Sequence, residues 1–456
     1  MRVRLFLPPV LSLIFTVAAA ADLRHPVSLD SDDSCDISVA PAATLLLPFF
    51  EVDLEAPAGQ GETTVFTVIN TSGVTQVAHV VLWTDYAFPL LNFNVFLTGY
   101  DIQTINLYDV LVRGRIAPPN GTGSTASPEG ELSDSDNALV DEAACANIPA
   151  ALSPAALARV QSALTLGRIA QSGNEPACNT VGGIHQNAIG YATIDVFTGC
   201  ADVLPNEPAY FGRWIGFDNV LTGDYQQVNG HQNYAQANPL VHIRATPEGG
   251  DAITRANEPR AYTVNLPRTF YSRYQSSARP RFDARQPLPS LFAARWISGD
   301  PAYFQTYFKI WREGRIGITP SCSLYPDNAT LGMVDVVRFD EDENPTTLSP
   351  DIIICTPIET YPTTATTGLL SAADAYFFPY NATGALSGWM YLNLDYCWRD
   401  APASQNWVVV SMRNEGRYSV DFDAAYLGNG CTPPVLQSNA NDSSGAPIGP
   451  AANTNP

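Results

Sequence analysis

Thr63–Asn70 reads TTVFTVIN and Val77–Thr84 reads VAHVVLWT, with Thr71-Ser72-Gly73 between them. Both runs are rich in β-branched and aromatic residues, which fit a pleated surface. The short Gly-containing step between them suits a turn. They read as two successive strands. Asn92–Leu97 (NFNVFL) follows, with Phe93, Val95 and Leu97 alternating against Asn92 and Asn94, and Gly99 breaks the run before Ile102–Leu107. Further strand-like runs are Ala188–Phe197, Tyr210–Leu221, Leu240–Arg244, Tyr303–Trp311, Met333–Phe339 and Ile352–Cys355. Met390, Leu392, Leu394 and Tyr396 alternate with Tyr391, Asn393 and Asp395. Tyr418, Val420, Phe422 and Ala424 alternate with Ser419, Asp421 and Asp423. Each pattern gives a strand one buried and one wet face. Trp407–Met412 leads into the second pattern through Asn414-Glu415-Gly416, a hairpin loop.

Short strands punctuated by Gly, Asn and Pro predict an all-β chain of two antiparallel β-sandwich domains, immunoglobulin-like or jelly-roll-like. The first spans 40–250 and the second 251–431. Residues 113–180 interrupt the first as a loop and helix insertion. In it Ser153 suits an N-cap, Pro154 the first helical position, and Leu157, Val160 and Leu164 share a face before Gly167. Leu97-Thr98-Gly99 with Gln103 echoes Leu221-Thr222-Gly223 with Gln227, through chance or through an old duplication.

Residues 1–21 read as a signal peptide: Arg2 and Arg4, an apolar stretch from Leu5 to Val17, then Ala19-Ala20-Ala21. Residues 22–39 form an exposed acidic lead-in, and 432–456 a disordered tail with little to bury. All eight cysteines follow the leader: Cys35, Cys145, Cys178, Cys200, Cys322, Cys355, Cys397 and Cys431. An even number in an exported chain reads as disulfides, and no Cys-x-x-Cys pair points to zinc or redox chemistry. Four fall in each half, so pairing within halves is expected.

The 24 basic and 45 acidic residues give a net charge of −21, which becomes −23 once Arg2 and Arg4 are lost with the leader. That sign opposes nucleic-acid binding, because phosphate neutralisation needs cations. Only one base is a lysine, Lys309. Residues 255–315 reverse the trend with eleven bases and four acids. Within them Arg273, Arg279, Arg281 and Arg285 interleave with Phe270, Tyr271, Tyr274 and Phe282. Planar, ring-stacking guanidiniums suit a contact surface, so this stretch is expected to dock on an acidic surface, either the first domain or another copy of the chain.

LLLPFFEVDL (45–54), AHVVLWTDYAFPLLNFNVFLTGYDIQTINLYDVL (78–111) and NVLTGDYQQVNG (219–230) resemble stretches of exported bacterial β-rich proteins of unknown function. The resemblance implies export and a bacterial origin, and it carries no activity, ligand or catalytic residue.

Chemical motifs are sparse. His25, His79, His185, His231 and His242 are scattered, with no His-x-x-x-His spacing. Neither a Gly-x-Ser-x-Gly elbow nor a phosphate-cradling loop occurs. His79 lies inside a strand and reads as a core or cross-strand residue. The acidic stretches Asp30–Asp36, Asp134–Asn137 and Asp340–Glu343 are candidates for Ca²⁺ but lack the EF-hand pattern. No catalytic, cofactor or metal residue is assigned. Trp389, Trp398 and Trp407 with Tyr376, Tyr380, Tyr391 and Tyr396 crowd one region, as core packing or as a sugar-binding face. The expected function is an exported, non-catalytic structural or adhesive protein of the cell surface or matrix, whose partner is itself or another surface component. The alternative is a carbohydrate-binding module or carbohydrate-active enzyme with a polysaccharide partner.

Non-reducing peptide mapping should find four disulfides, none joining a cysteine of 35–200 to one of 322–431, each contributing about 2–4 kcal/mol by restricting the unfolded chain. A free thiol or a bridge between halves would contradict this pairing.

Overall fold

The computed structural model describes residues 37–115, 151–170, 177–178, 181–245, 270–271, 285–286, 288–289, 291–297, 305–312, 335–348, 358–362, 387–394, 405–414 and 418–426. They are mostly β, in four antiparallel sheets. The expected signal peptide, the tail, the strand Ile352–Cys355 and most of the 113–180 stretch outside its helix lie outside them.

A central sheet carries β1 (Thr44–Val52), β3 (Gln76–Thr84), β4 (Pro89–Leu97), β6 (Ala188–Phe197) and β9 (Val241–Ile243), in the order β4-β3-β6-β1-β9. An outer sheet carries β2 (Glu62–Asn70), β5 (Ile102–Asn106), β7 (Leu221–Asn229) and β8 (Tyr234–Pro239), in the order β5-β2-β7-β8. The far sheet holds β10 (Leu291–Ile297), β12 (Asp335–Asp340), β13 (Pro345–Leu348), β15 (Ser387–Asn393) and β18 (Ala425–Tyr426). The junction sheet holds β11 (Gln305–Arg312), β14 (Ile358–Pro362), β16 (Asn406–Asn414) and β17 (Tyr418–Asp423). The expected hairpin is present, with Asn414 opposite Tyr418.

Burial differs between the first two sheets for a readable reason. Along β2 buried and half-buried residues alternate strictly, because one face is wet. Along β3 every residue is buried, because the central sheet has a core on each side. Leu45, Val80, Leu82, Ile194 and Val196 face Phe66, Val68 and Tyr225 of the outer sheet. Leu46, Val77, Val81, Trp83 and Tyr191 face the opposite way. Pro48 cannot donate to a ladder, and the β1–β6 register shifts between Leu47 and Phe50 where it falls. Gly190 opposes the ladder so closely that a Cβ there would lie 2.1 Å from the Trp83 carbonyl oxygen.

The helix is where its signals put it. α1 (Leu107–Leu111) is a single turn, and α2 runs over Pro154–Leu166. Ser153 caps α2 by accepting from the Ala156 amide, and Gly167 ends it at φ 62°, in the left-handed region glycine favours. It is more than an insertion: Val160 and Leu164 complete the core between the central and outer sheets. Among the described residues no helix is long and apolar enough to cross a membrane.

One sequence reading needs correction, one strand was missed, and one echo has no structural counterpart. Tyr210–Leu221 is not a strand: Tyr210–Trp214 forms a π-helical turn, and β7 begins only at Leu221. β8 (YAQANP) carries too few β-branched residues to be noticed. The Leu-Thr-Gly echo falls at a turn after β4 in one copy and inside β7 in the other, so the two copies do not occupy equivalent places.

The halves share a core. The junction sheet presents Phe308, Ile310, Val408 and Val410 to Phe292, Trp296, Met390 and Leu392 of the far sheet. From its other face Trp311 joins Phe270, Tyr271 and Leu288 in the core under the central sheet.

Candidate functional site

A polar row crosses the apolar central sheet. Asn94 on β4 pairs with His79 on β3, His79 with Asp195 on β6, and Asp195 with Thr44 on β1. Strand alternation points all four to the same face. An ionised carboxylate in a dry interior is costly unless its charge and its lone pairs are both met. Asp195 is fully buried, and the chain meets both needs. Oδ1 accepts from the Thr44 hydroxyl and lies 3.6 Å from Arg285 Nε. Oδ2 accepts from the Tyr210 and Tyr271 hydroxyls.

Arg285 is equally buried. Its Nε donates to Thr44 Oγ1, and an Nη donates to the Gly216 carbonyl at 2.7 Å. Its guanidinium carbon lies 5.2 Å from the Phe217 ring centroid and 5.8 Å from that of Tyr271, within cation–π range. The cluster thus draws on β1, on β6, on the π-helical turn that delivers Tyr210, and on residues 271 and 285 from the arginine-rich stretch. Burial first, and the Asp195 charge second, push both tyrosine hydroxyls well above their ordinary range, so both remain donors.

His79 flanks this centre. Its Nε2 donates to the Val203 carbonyl at 2.9 Å, and its Nδ1 lies 2.9 Å from Asn94 Oδ1. The ring stacks on Phe197, with centroids 4.0 Å apart. Burial holds the imidazole below its ordinary range, outweighing the upward pull of Asn94 and Asp195.

The arrangement has the residue types of an acid–base site without its access. Asp195, His79, Tyr210, Tyr271 and Arg285 are each 2% exposed or less. Their hydrogen bonds run to one another, to side chains such as Thr44 and Asn94, and to the Val203 and Gly216 carbonyls. Its evident chemical consequence is to hold Tyr271 and Arg285 against the central sheet.

The other sequence candidates are dispersed. Cys178 and Cys200 are each disulfide-bonded; Cys35, Cys145, Cys322, Cys355, Cys397 and Cys431 lie outside the described residues, as do Arg273, Arg279 and Arg281. Asp340 closes the β12–β13 turn, accepting from the Asp342 and Asn344 amides at 3.0 and 2.8 Å. The Asn344 side-chain amide, which donates to Asp340 Oδ2 at 3.0 Å, and then the Asn344 backbone amide hold its carboxyl below the ordinary range. Asp30–Asp36 and Asp134–Asn137 lie outside the described residues, and among those described no three His, Cys, Asp or Glu side chains are grouped to hold a metal. Trp389 is 38% exposed and stacks on Phe339 at 4.4 Å, whereas Tyr391 is buried and Trp407 packs edge-on to Phe292. Trp398, Tyr376, Tyr380 and Tyr396 lie outside the described residues.

Two arrangements escaped the sequence reading. A cleft of about 310 Å³ opens where the halves meet, lined by Tyr225, Leu240, His242, Trp407, Val409 and Ala424 among others. A carboxylate–imidazole pair, Asp85 and His185, sits at 2.8 Å. Asp85 also accepts from the Gly183 amide, so the pair ties the 181–187 loop to the turn after β3. Comparison with protein-family models, curated proteins and solved structures finds no match for this chain.

Arg285→Met leaves Asp195 buried without its cation and should cost about 3–5 kcal/mol. Adding Asp195→Asn should recover part of that loss, since the orphaned charge goes with it. Denaturant unfolding of the two single variants and the double variant checks both statements; additive losses would show that the two groups do not couple.

A second expectation concerns pH. The folded imidazole of His79 titrates below the ordinary value of about 6.5, so in the window beneath that value the unfolded chain binds more protons than the folded one. Stability should therefore fall as pH drops from 7 towards 5, and His79→Gln should flatten that slope in thermal melts relative to the parent chain.

Proposed function

We propose that this chain is an exported, non-catalytic structural or adhesive protein of the bacterial cell surface or extracellular matrix. On this reading residues 1–21 are a cleaved signal peptide. Residues 40–250 and 251–431 form two β-sandwich domains of immunoglobulin-like or jelly-roll-like type, stapled by four disulfides. The partner is another copy of the chain or another surface component, and no cofactor is invoked.

One observation carries the reading. Among the described residues, the group of side chains best equipped for chemistry, centred on Asp195, is buried and hydrogen-bonded internally. A fold that uses such residues as an interlock is suited to bearing load. The acidic surface charge opposes nucleic-acid binding, and disulfides at Cys178 and Cys200 fit an oxidising compartment.

A carbohydrate-binding module is the second reading, favoured by the exposed ring of Trp389. Its stacking on Phe339 fits an ordinary cross-strand pair equally well.

Export and sugar binding can be tested separately. Expression with the native leader in a bacterial host, followed by fractionation and N-terminal sequencing, should give a periplasmic or extracellular protein beginning at Asp22. Retention of the leader in the cytoplasm would overturn export. A glycan array read alongside tryptophan fluorescence should show no saturable quenching. A defined glycan that quenches, and that loses its effect in Trp389→Ala, would replace the structural reading with the carbohydrate one.

A further inference from the structure

Lys309 is the chain's only lysine. It lies on β11 and is 3% exposed. Its neighbours Phe308 and Ile310 point into the core shared with the far sheet, so Lys309 points the other way, towards the first half. There its Nζ donates to Gln227 Oε1 at 2.5 Å and lies 4.3 Å from the Phe49 ring centroid.

Gln227 sits on β7 and is fully buried. Its Nε2 has no hydrogen-bond partner among the described residues. Folded proteins rarely leave a buried amide donor in that state, because its lost hydration is not replaced. On β2, Thr64 stands opposite Gln227 and Glu62 opposite Asn229. Glu62 is 3% exposed and accepts from Asn229 Nδ2 at 3.1 Å. It is the diagonal neighbour of Gln227 on the same face, a spacing that long side chains bridge. A primary amine and a carboxamide therefore meet in a buried site between the two halves, with a buried carboxylate one diagonal step along the same face of the outer sheet.

We propose that Lys309 and Gln227 are joined by an intramolecular isopeptide bond that the folded chain forms without any external reagent. Glu62 takes a proton from the Lys309 ammonium. The freed Nζ attacks Cδ of Gln227, the Cδ–Nε2 bond breaks, and Nε2 takes a proton from the attacking nitrogen and leaves as ammonia. Glu62 returns its proton to that ammonia. One C–N bond forms and one breaks: an ammonium and a carboxamide become a secondary amide and an ammonium ion, with no change of oxidation state. Positioning does much of the work, because the reacting groups are held in contact by the fold. The exclusion of water protects the product from hydrolysis, and the departing ammonia carries away the unpaired donor. The bond ties β11 to β7 across 82 residues. It goes beyond the export and adhesion reading and does not rest on it.

The test is the intact mass of the full-length folded protein, purified with its disulfides and then fully reduced. The reduced chain should be lighter than its sequence mass by one ammonia, and proteolysis should yield a branched peptide joining the Gln227 and Lys309 segments. Lys309→Arg and Gln227→Leu should each restore the sequence mass. Glu62→Gln should fold, by circular dichroism, yet retain the ammonia; a Glu62→Gln chain that still crosslinks overturns the role given to Glu62. An unshifted mass for the unaltered protein, with the two residues recovered in separate peptides, overturns the bond itself. So does a loss of ammonia mapped to any other residue. The decisive measurement needs no variant, so a substitution that misfolds leaves the outcome clear.

Discussion

A fully buried carboxylate dictates much of this molecule. Asp195 faces the side of the central sheet that lies against the second half of the chain, and no single strand neighbour can neutralise it. Thr44 comes from the adjacent β1, Tyr210 from a π-helical turn, and Tyr271 and Arg285 from a distant stretch of sequence. Each donor fixes the path of the segment that carries it. Arg285 meets Thr44 across 241 residues, so this part of the fold is complete only when the later chain has docked. Such pairs give specificity more surely than net stability, since desolvation offsets much of the Coulombic gain.

That dependence blurs the division into halves. The core under the central sheet draws on Leu46, Trp83 and Tyr191 from the first half and on Phe270, Tyr271, Leu288 and Trp311 from beyond residue 250. Phe270 stacks near Trp311, and Trp311 meets Tyr191 edge-on. The junction is packed as an interior is packed, and its contacts are of high sequence separation. Folding of such a topology is expected to be slow, because the loop-closure cost precedes the gain.

Strands with one wet face were legible because their alternation survives in the sequence, as in TTVFTVIN; the Met390 pattern gave a strand but not its wet face, since Tyr391 is fully buried with Leu291 and Val337. The helix was legible because Ser153, Pro154 and Gly167 act through local backbone chemistry. β7 and β8 were obscure because Gln227 and Gln236 occupy inward positions where an apolar residue is expected, and both are held by polar partners from other strands. Tyr210 read as strand because its role is tertiary: it leaves the pleat to reach Asp195. The one local hint of that centre was an acid inside an apolar strand, ATIDVF at 192–197. Its aromatic and arginine partners lie too far along the chain for spacing to link them.

The burial of Lys309 has a practical side. Succinimidyl esters, aldehydes and other amine-coupling reagents act on exposed primary amines. Every other basic residue of this chain's Lys and Arg set is arginine, so besides an α-amino group such reagents find no exposed primary amine in it. Random surface biotinylation or aldehyde fixation will be inefficient, and coupling to a sensor chip will be confined to one end. The same scarcity makes that end a natural handle for attaching every molecule in a single orientation.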